Sequence, residues 1–301
     1  MNINQEELSL EFNNNVKFDY DLKKKNWFNI GGKTKIYFKA SNLKDLISFL
    51  KRIENKEKIF ILGGGSNTLI TDKTYNGVVI KLTNNFNNIS LLADDIIIAG
   101  SAVSDKSLSE FAMNNGLGGF EFLSCIPGTV GGGIKMNAGC FGREFKDVLI
   151  SIQAINKKGQ VITIPTKDIN FKYRNSSLPD DLIFLSASFK GKRKNSNLID
   201  KEMTELKKKK EEAQPTRIKT SGSTFKNPLD QTEKKVWQLI KDSVSLEKSF
   251  GDACISKKHC NFFVNKGDAK FDDMKKLIEF VSESVLKKTG VKLETEIKIL
   301  E

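Results

Sequence analysis

Residues 125–139 read CIPGTVGGGIKMNAG, and with Gly142 just beyond they hold six of the chain's 22 glycines. Gly131 to Gly133 have no side chain with which to do chemistry, so the working surface here is backbone. Glycine permits positive φ and close approach of another molecule to the peptide groups, which lets several N–H donors turn toward one anion. The ligand that such a run suits is a phosphate or diphosphate held by main-chain amides. Pro127 fixes the entry, and Ile126, Val130, Ile134 and Met136 interleave apolar anchors that a solvated linker does not need.

A second glycine bend, Gly63 to Asn67 (GGGSN), follows the apolar run Ile59 to Leu62, as a strand entering a phosphate-gripping turn would. It is not a Rossmann start. Thr68 stands where the third glycine belongs, and the next strand-like run begins near Gly77, leaving no room for a crossover helix. Nor is 125–139 a Walker loop, because Gly133 is followed by Ile134 in place of Lys and then Ser or Thr.

Six pieces in one order give the chain a family resemblance: NIGG (29–32), GGGSNTL (63–69), IPGTVGGG with MNAG (126–139), YRNS (173–176), SGSTFKNP (221–228) and LETEIKIL (293–300). It resembles the UDP-N-acetylenolpyruvoylglucosamine reductases of peptidoglycan precursor synthesis from about residue 26 to the end. The resemblance implies an α+β fold: a two-lobe FAD-binding domain of the vanillyl-alcohol-oxidase (PCMH) type, followed by a C-terminal α+β substrate domain. The expected division is a first lobe over 1–83, joined by the C-terminal strand 297–301, a second over 84–194, and a substrate domain over 195–296. Tyr20, Tyr37, Tyr75 and Tyr173 are the only tyrosines, so none lies between Arg174 and Ser223, and the chain resembles the shorter subclass without the tyrosine loop.

Composition agrees with a globular enzyme: 301 residues, 39% apolar, enough for two or three cores. The first residues, MNINQEELSLEFNNN, lack a basic flank and an apolar stretch, and no run approaches twenty apolar residues, so the expectation is a cytoplasmic protein with no membrane segment. A monomer is expected. Cys125, Cys140, Cys254 and Cys260 form no C-x-x-C pair and are expected as thiols, and with His259 the single histidine no metal site is expected. His259 beside Cys260 is no thiol-protease pair, since adjacent strand residues face opposite ways.

Net charge is +12, but of 49 basic residues 5 are arginine, leaving 44 lysines spread over most segments without aromatic interleaving. No nucleic-acid partner is expected, while a general positive field favours an anionic substrate such as a nucleotide sugar. Because lysine is the default cation, each arginine is a candidate for a place needing a planar, permanently charged fork.

Along the chain, periodicity gives a strand from Lys35 and a helix capped by Ser41 or Asn42 with a stripe of Leu43, Leu46, Ile47, Leu50 and Ile53. Strands at 58–62 and 77–82 follow. Strands near 89–92 and 96–99 and a helix from Asp105 stopped by Gly116 precede the long glycine stretch, and a hairpin turns at Lys158-Gly159 before a strand at 182–189. Helices are expected over 198–213, 232–241 and 271–288, with a short strand near 261–264 and a last one over 292–300. Residues 1–25 match nothing.

No side chain carries a hydride, so a reductase needs a redox cofactor, and paired glycine bends can hold a flavin's diphosphate. The resemblance names FAD, with Gly63, Gly64, Gly65, Ser66, Asn67, Thr68, Ile126, Pro127, Gly128, Thr129, Gly132, Asn137 and Gly139 as its binding residues. It further implies that NADPH reduces the flavin, which passes hydride from N5 to the enolpyruvyl ether of UDP-N-acetylglucosamine. Arg174 matches the cation that meets developing charge at the substrate carboxylate, Ser223 the proton donor to the α-carbon, and Glu296 the glutamate that polarises the intermediate or aids the relay. Tyr173, Lys226 and Asn227 are implied as substrate contacts alongside Arg174. Glu294 lies two residues from Glu296 on the same strand face, and an ion pair between Glu296 and Lys298 is the plain structural alternative. Lys235 to Ser256 departs from the family pattern, so no contact is carried over there. Two other functions stay open at this level: a flavin-linked oxidase of a sugar or hydroxy acid on the same fold, which needs neither Ser223 nor Glu296, and a noncatalytic binder of nucleic acid.

Overall fold

A computed structural model describes residues 5–53 and 57–301. Residues 1–4 of the unmatched N-terminus, and 54–56 within the first expected lobe, lie outside that set. The chain divides into two compact units, one built from residues up to Asp19, 35–64 and 76–210, the other from 20–34, 65–75 and 211–301.

Two larger sheets, beside two two-stranded ones, form the first unit among the described residues. The strands Val16–Asp21, Lys33–Ala40, Tyr75–Leu82 and Ile59–Ile61 lie side by side in that order, the last pair parallel. Helix Leu43–Arg52 packs its buried Leu46, Phe49 and Leu50 against this sheet's core. It starts where Asn42 accepts the Asp45 N–H at 2.9 Å, because a short polar side chain satisfies an amide that no helical carbonyl can reach. Phe49 stacks on Phe38 at 4.0 Å, with Phe12 edge-on to both, whereas Leu43 of the expected stripe is exposed. Phe12 and Leu8 follow from the short helix Gln5–Glu11, so part of the stretch that matched nothing belongs to this core.

The second sheet of this unit is antiparallel, in the order Val161–Pro165, Leu149–Ile155, Ile183–Lys190, Ile96–Gly100, Ile89–Ala93. Its hairpin turns through Gly159 at φ 78°, where a β-carbon would be strained. Helix Asp105–Asn114 ends at Asn115, with Gly116 left-handed behind it.

The second unit packs helices Val236–Ser243 and Phe271–Thr289 on an antiparallel sheet of Ser249–Phe250, Ala253–Ile255 and Phe263–Asn265. Phe28, Phe225, Phe263, Leu277 and Val281 centre its core. The long helix begins where the Asp72 carboxylate accepts the Phe271 N–H at 2.5 Å and stops at left-handed Gly290. Of the expected last strand, only Lys298–Leu300 forms one, parallel to Thr68–Ile70. Among the described residues no helix is long and apolar enough to cross a membrane.

Candidate active site

The glycine stretch does not fold as an open loop. After the turn Glu121–Cys125 the chain extends through Ile126 and then coils into the helix Val130–Lys135, which contains Gly131, Gly132 and Gly133. None of the three has positive φ. The expectation of a backbone freed by positive φ is therefore corrected: two of them are glycine for packing. A β-carbon on Gly133 would stand 2.2 Å from the Phe145 ring, and one on Gly131 3.0 Å from that of Ser101. Absence of bulk, with φ unused, lets this helix sink into the core.

Gly132 is the one left facing outward, and here the two glycine bends meet. A β-carbon on Gly63 would lie 2.8 Å from the Thr129 hydroxyl oxygen and 3.9 Å from the Gly132 Cα; one on Gly64 would lie 3.2 Å from the Gly128 Cα. Gly63, Gly64, Gly128 and Gly132 thus present bare backbone on one face around the Thr129 hydroxyl, and the Lys81 ammonium donates to the Gly63 carbonyl. Any side chain at Gly63 or Gly64 would fill this cradle.

The brace behind it is Ser101 to Asp105. Gly131 N–H donates to the Ser101 carbonyl (2.9 Å), Val130 N–H to Val103 (2.9 Å), and Asp105 N–H to Gly128 (3.3 Å), while Ser104 pairs with Thr129. Ser101 Oγ and both Asp105 carboxylate oxygens are buried without a partner among the described residues. Burial pushes the Asp105 carboxyl well above the ordinary carboxylate range. A bare-backbone cradle beside unpartnered polar atoms fits a ligand rich in acceptors, as FAD is.

At the far end, the YRNS segment makes a tight turn closed by Lys172 and Asn175, with Tyr173 and Arg174 at its tip. It is stapled to the glycine stretch: Ser176 N–H donates to Lys135 (3.1 Å), Asn137 Nδ2 to Lys172 (3.1 Å), and Arg174 Nη2 to Gly139 (2.7 Å). The Arg174 guanidinium lies 4.9 Å over the Tyr173 ring. Arg174 is left-handed at φ 53°, a conformation that costs a non-glycine residue about 1–3 kcal/mol and concentrates at functional sites. Asn137 is fully buried, and its side chain is taken up by Glu144 Oε2 (2.9 Å), Lys172 and the Lys146 N–H.

In the other unit, SGSTFKNP lies extended between two chain segments. Thr224 N–H donates to the Asn261 carbonyl (2.7 Å), and the Asn261 amide grips Phe225 N–H (3.0 Å) and C=O (2.8 Å). On the opposite edge Glu296 N–H donates to Thr224 (2.8 Å) and Lys226 N–H to Glu294 (2.9 Å). Ser223, half-buried, pairs with Phe262, one residue from the Thr224–Glu296 bond, so Ser223 and half-buried Glu296 come onto adjoining extended segments. Asn67, expected at the cofactor, also belongs to this cluster: its Nδ2 donates to the Glu296 carbonyl (3.1 Å) and its carbonyl accepts the Lys298 N–H (2.9 Å). Gly65, Ser66 and buried Thr68 flank it, and Ser221 Oγ donates to the Thr68 carbonyl (3.3 Å).

Lys226 pairs with exposed Glu294 at 2.5 Å, and Asn227 Oδ1 accepts the Val236 N–H (3.0 Å), starting that helix. Among the described residues no cluster of three or more His, Cys, Asp or Glu is placed to hold a metal ion. Sequence reasoning missed Lys81, Ser101 and Asp105. Lys81 was hidden by the abundance of lysine, and an Asp opening a helix carries no distinguishing signal.

Comparison with known proteins fits this geometry. A family model described as the UDP-N-acetylenolpyruvoylglucosamine reductase C-terminal domain matches residues 214–300, and one described as an FAD binding domain matches 34–165. A curated UDP-N-acetylenolpyruvoylglucosamine reductase of Pelagibacter ubique is 69% identical over 292 residues, covering 97% of each chain. One from Rickettsia massiliae is 45% identical over 285 residues, covering 94% of each. The crystal structure of the reductase from Thermus caldophilus superposes with a TM-score of 0.81 at 28% identity, covering 95% of this chain and 98% of that one. Glycine bends in one unit, the Ser223 and Glu296 segments in the other, and relatives of one name matching up to 97% of the chain lead to one conclusion: the chain belongs to the UDP-N-acetylenolpyruvoylglucosamine reductase family.

Proposed function

We propose that Arg174, Ser223 and Glu296 carry the chemistry of this family's reaction, the NADPH-dependent reduction of UDP-N-acetylglucosamine enolpyruvate to UDP-N-acetylmuramate in peptidoglycan precursor synthesis. FAD, when bound, supplies the hydride chemistry that no side chain here can supply. Gly63, Gly64, Gly128, Thr129 and Gly132 would hold it by backbone and hydroxyl, with Gly65, Ser66, Asn67, Thr68, Ile126, Pro127, Asn137 and Gly139 completing the contacts.

Arg174 meets negative charge as it develops toward the substrate carboxylate; its planar fork is oriented in advance by the Gly139 carbonyl and the Tyr173 ring. Ser223 gives the α-carbon its proton. A serine hydroxyl is a weak acid and serves only beside a strongly basic centre with a group to restore the proton, a task that falls to Glu296. The observation that carries this reading is the Thr224–Glu296 hydrogen bond, which aligns the serine segment with the glutamate segment. Tyr173, Lys226 and Asn227 are proposed to touch substrate, Lys226 by exchanging Glu294 for a phosphate.

Residues 1–83 with 297–301, and 84–194, are proposed to serve the flavin, and 195–296 the substrate. The protein is proposed to act as a cytoplasmic monomer on a nucleotide sugar, without nucleic acid. The oxidase alternative gains nothing from a match whose C-terminal part is the reductase domain itself. Ser223→Ala tests the assignment: flavin reduction by NADPH should persist while formation of the muramate product falls, and normal turnover would refute the proton-donor role.

A further inference from the structure

Cys125 closes the turn Glu121–Cys125 and Cys140 ends the two-residue strand Gly139–Cys140, so the pair brackets residues 126–139. Both are free thiols, and the two side chains lie close enough for each to shift the other's titration. Cys140 Sγ also donates to the Phe122 carbonyl at 3.3 Å, and Ser124 Oγ lies 3.8 Å from Cys125 Sγ. The half-buried Lys210 ammonium donates to the Cys125 carbonyl. These contacts divide the labour between the sulfurs. The neighbouring Cys140 side chain, aided by Ser124 and the Lys210 charge, brings the Cys125 thiol down to about 6, while the same proximity and burial push Cys140 up. A thiolate beside a protonated neighbour is the arrangement of an attacking and a resolving cysteine. The other two differ: Cys254 is buried and pushed up by that burial, and Cys260 donates to the Trp237 carbonyl at 2.9 Å.

We propose that Cys125 and Cys140 form a reversible disulfide on exposure to hydrogen peroxide, and that this bond ties together the two ends of the cofactor stretch 126–139. The second half rests on the reading of 126–139 as the flavin-binding stretch; the first does not. The Cys125 thiolate attacks one peroxide oxygen, an S–O bond forms, the O–O bond breaks, and hydroxide leaves. Cys140 sulfur then attacks Cys125 sulfur, the S–S bond forms, the S–O bond breaks, and the hydroxyl leaves as water with the Cys140 proton. Two thiols lose two electrons and one peroxide is reduced to water. A dithiol reverses the step by exchange.

The test uses the flavin-loaded full chain. After brief treatment with dilute peroxide it is quenched, denatured, alkylated with N-ethylmaleimide and weighed. All four cysteines should take the label before treatment, and only Cys254 and Cys260 after it, with four restored by dithiothreitol. Cys140→Ser should stop at a sulfenic acid on Cys125 that dimedone captures, and Cys125→Ser should show no loss of label. Four labels after peroxide, or a bond involving Cys254 or Cys260, would overturn the pairing. Flavin release, followed by fluorescence, should slow about tenfold in the oxidised protein. A disulfide that forms while release stays unchanged would overturn the tie to the cofactor stretch, separately from the thiol chemistry.

Discussion

Asp105 lies wholly inside the protein with neither carboxylate oxygen paired among the described residues, and that has a measurable consequence. Its folded pKa is raised by desolvation above the ordinary 3.8, so the unfolded chain releases its proton first. Stability from this group is therefore complete below about pH 3.8 and declines as pH rises toward the folded value. Asp105→Asn cannot ionise, and its unfolding free energy should gain on that of the wild type as pH is raised from 4 to 8, by about 1.4 kcal/mol per pH unit within the window. Parallel pH curves for the two proteins would show that Asp105 is solvated or paired. At the same scale, Ser223→Ala should lower product formation by about 10²–10⁴-fold with flavin reduction intact, measured by stopped-flow absorbance. Arg174→Lys keeps the charge but loses the fork held by Gly139, and should cost about 10²-fold in kcat. Ser223 and Glu296 were legible only through the family motif, because a half-buried serine and a strand glutamate look ordinary by themselves. Arg174 carried one independent hint, the scarcity of arginine.

Among elements, the regular ones were legible because periodicity and caps speak directly: the helix begun by Asn42, the hairpin about Gly159 and the helix closed by Gly290 all form where hydrophobic spacing and turn chemistry place them. The glycine stretch was legible as a site but misread as a conformation, since sequence cannot distinguish glycine needed for φ from glycine needed for room. Gly133 separates the two. Gly133→Ala raises helix propensity yet drives a methyl into the Phe145 ring, so it should destabilise the protein by about 1–3 kcal/mol in thermal or urea unfolding. Stabilisation by the same substitution would mean the packing reason is wrong. The last strand was read as longer than it is; 291–294 alternates in burial, but only Lys298–Leu300 pairs as a strand, with Glu294 and Glu296 held by single bonds to the SGSTFKNP segment.

For the whole molecule, neither compact unit is continuous in sequence. Long-range pairing decides the division: Lys298–Leu300 joins Thr68–Ile70, and Phe28 receives a hydrogen bond from Asn265 at 2.8 Å. Deleting residues 297–301 should therefore injure the unit that holds Ser223 and Glu296, with buried Ile297 and Leu300 alone worth about 3–6 kcal/mol, seen as early proteolysis of the C-terminal region. The net charge of +12, which by itself left nucleic acid open, is spread over lysines and fits an anionic small substrate. The most direct measurement is an anaerobic spectrum of the purified protein taken before NADPH, after it, and after UDP-N-acetylglucosamine enolpyruvate. A flavin spectrum that bleaches with NADPH and returns as the nucleotide sugar is consumed is the expected result; a colourless protein, or a bleached flavin that the nucleotide sugar leaves unchanged, would contradict it.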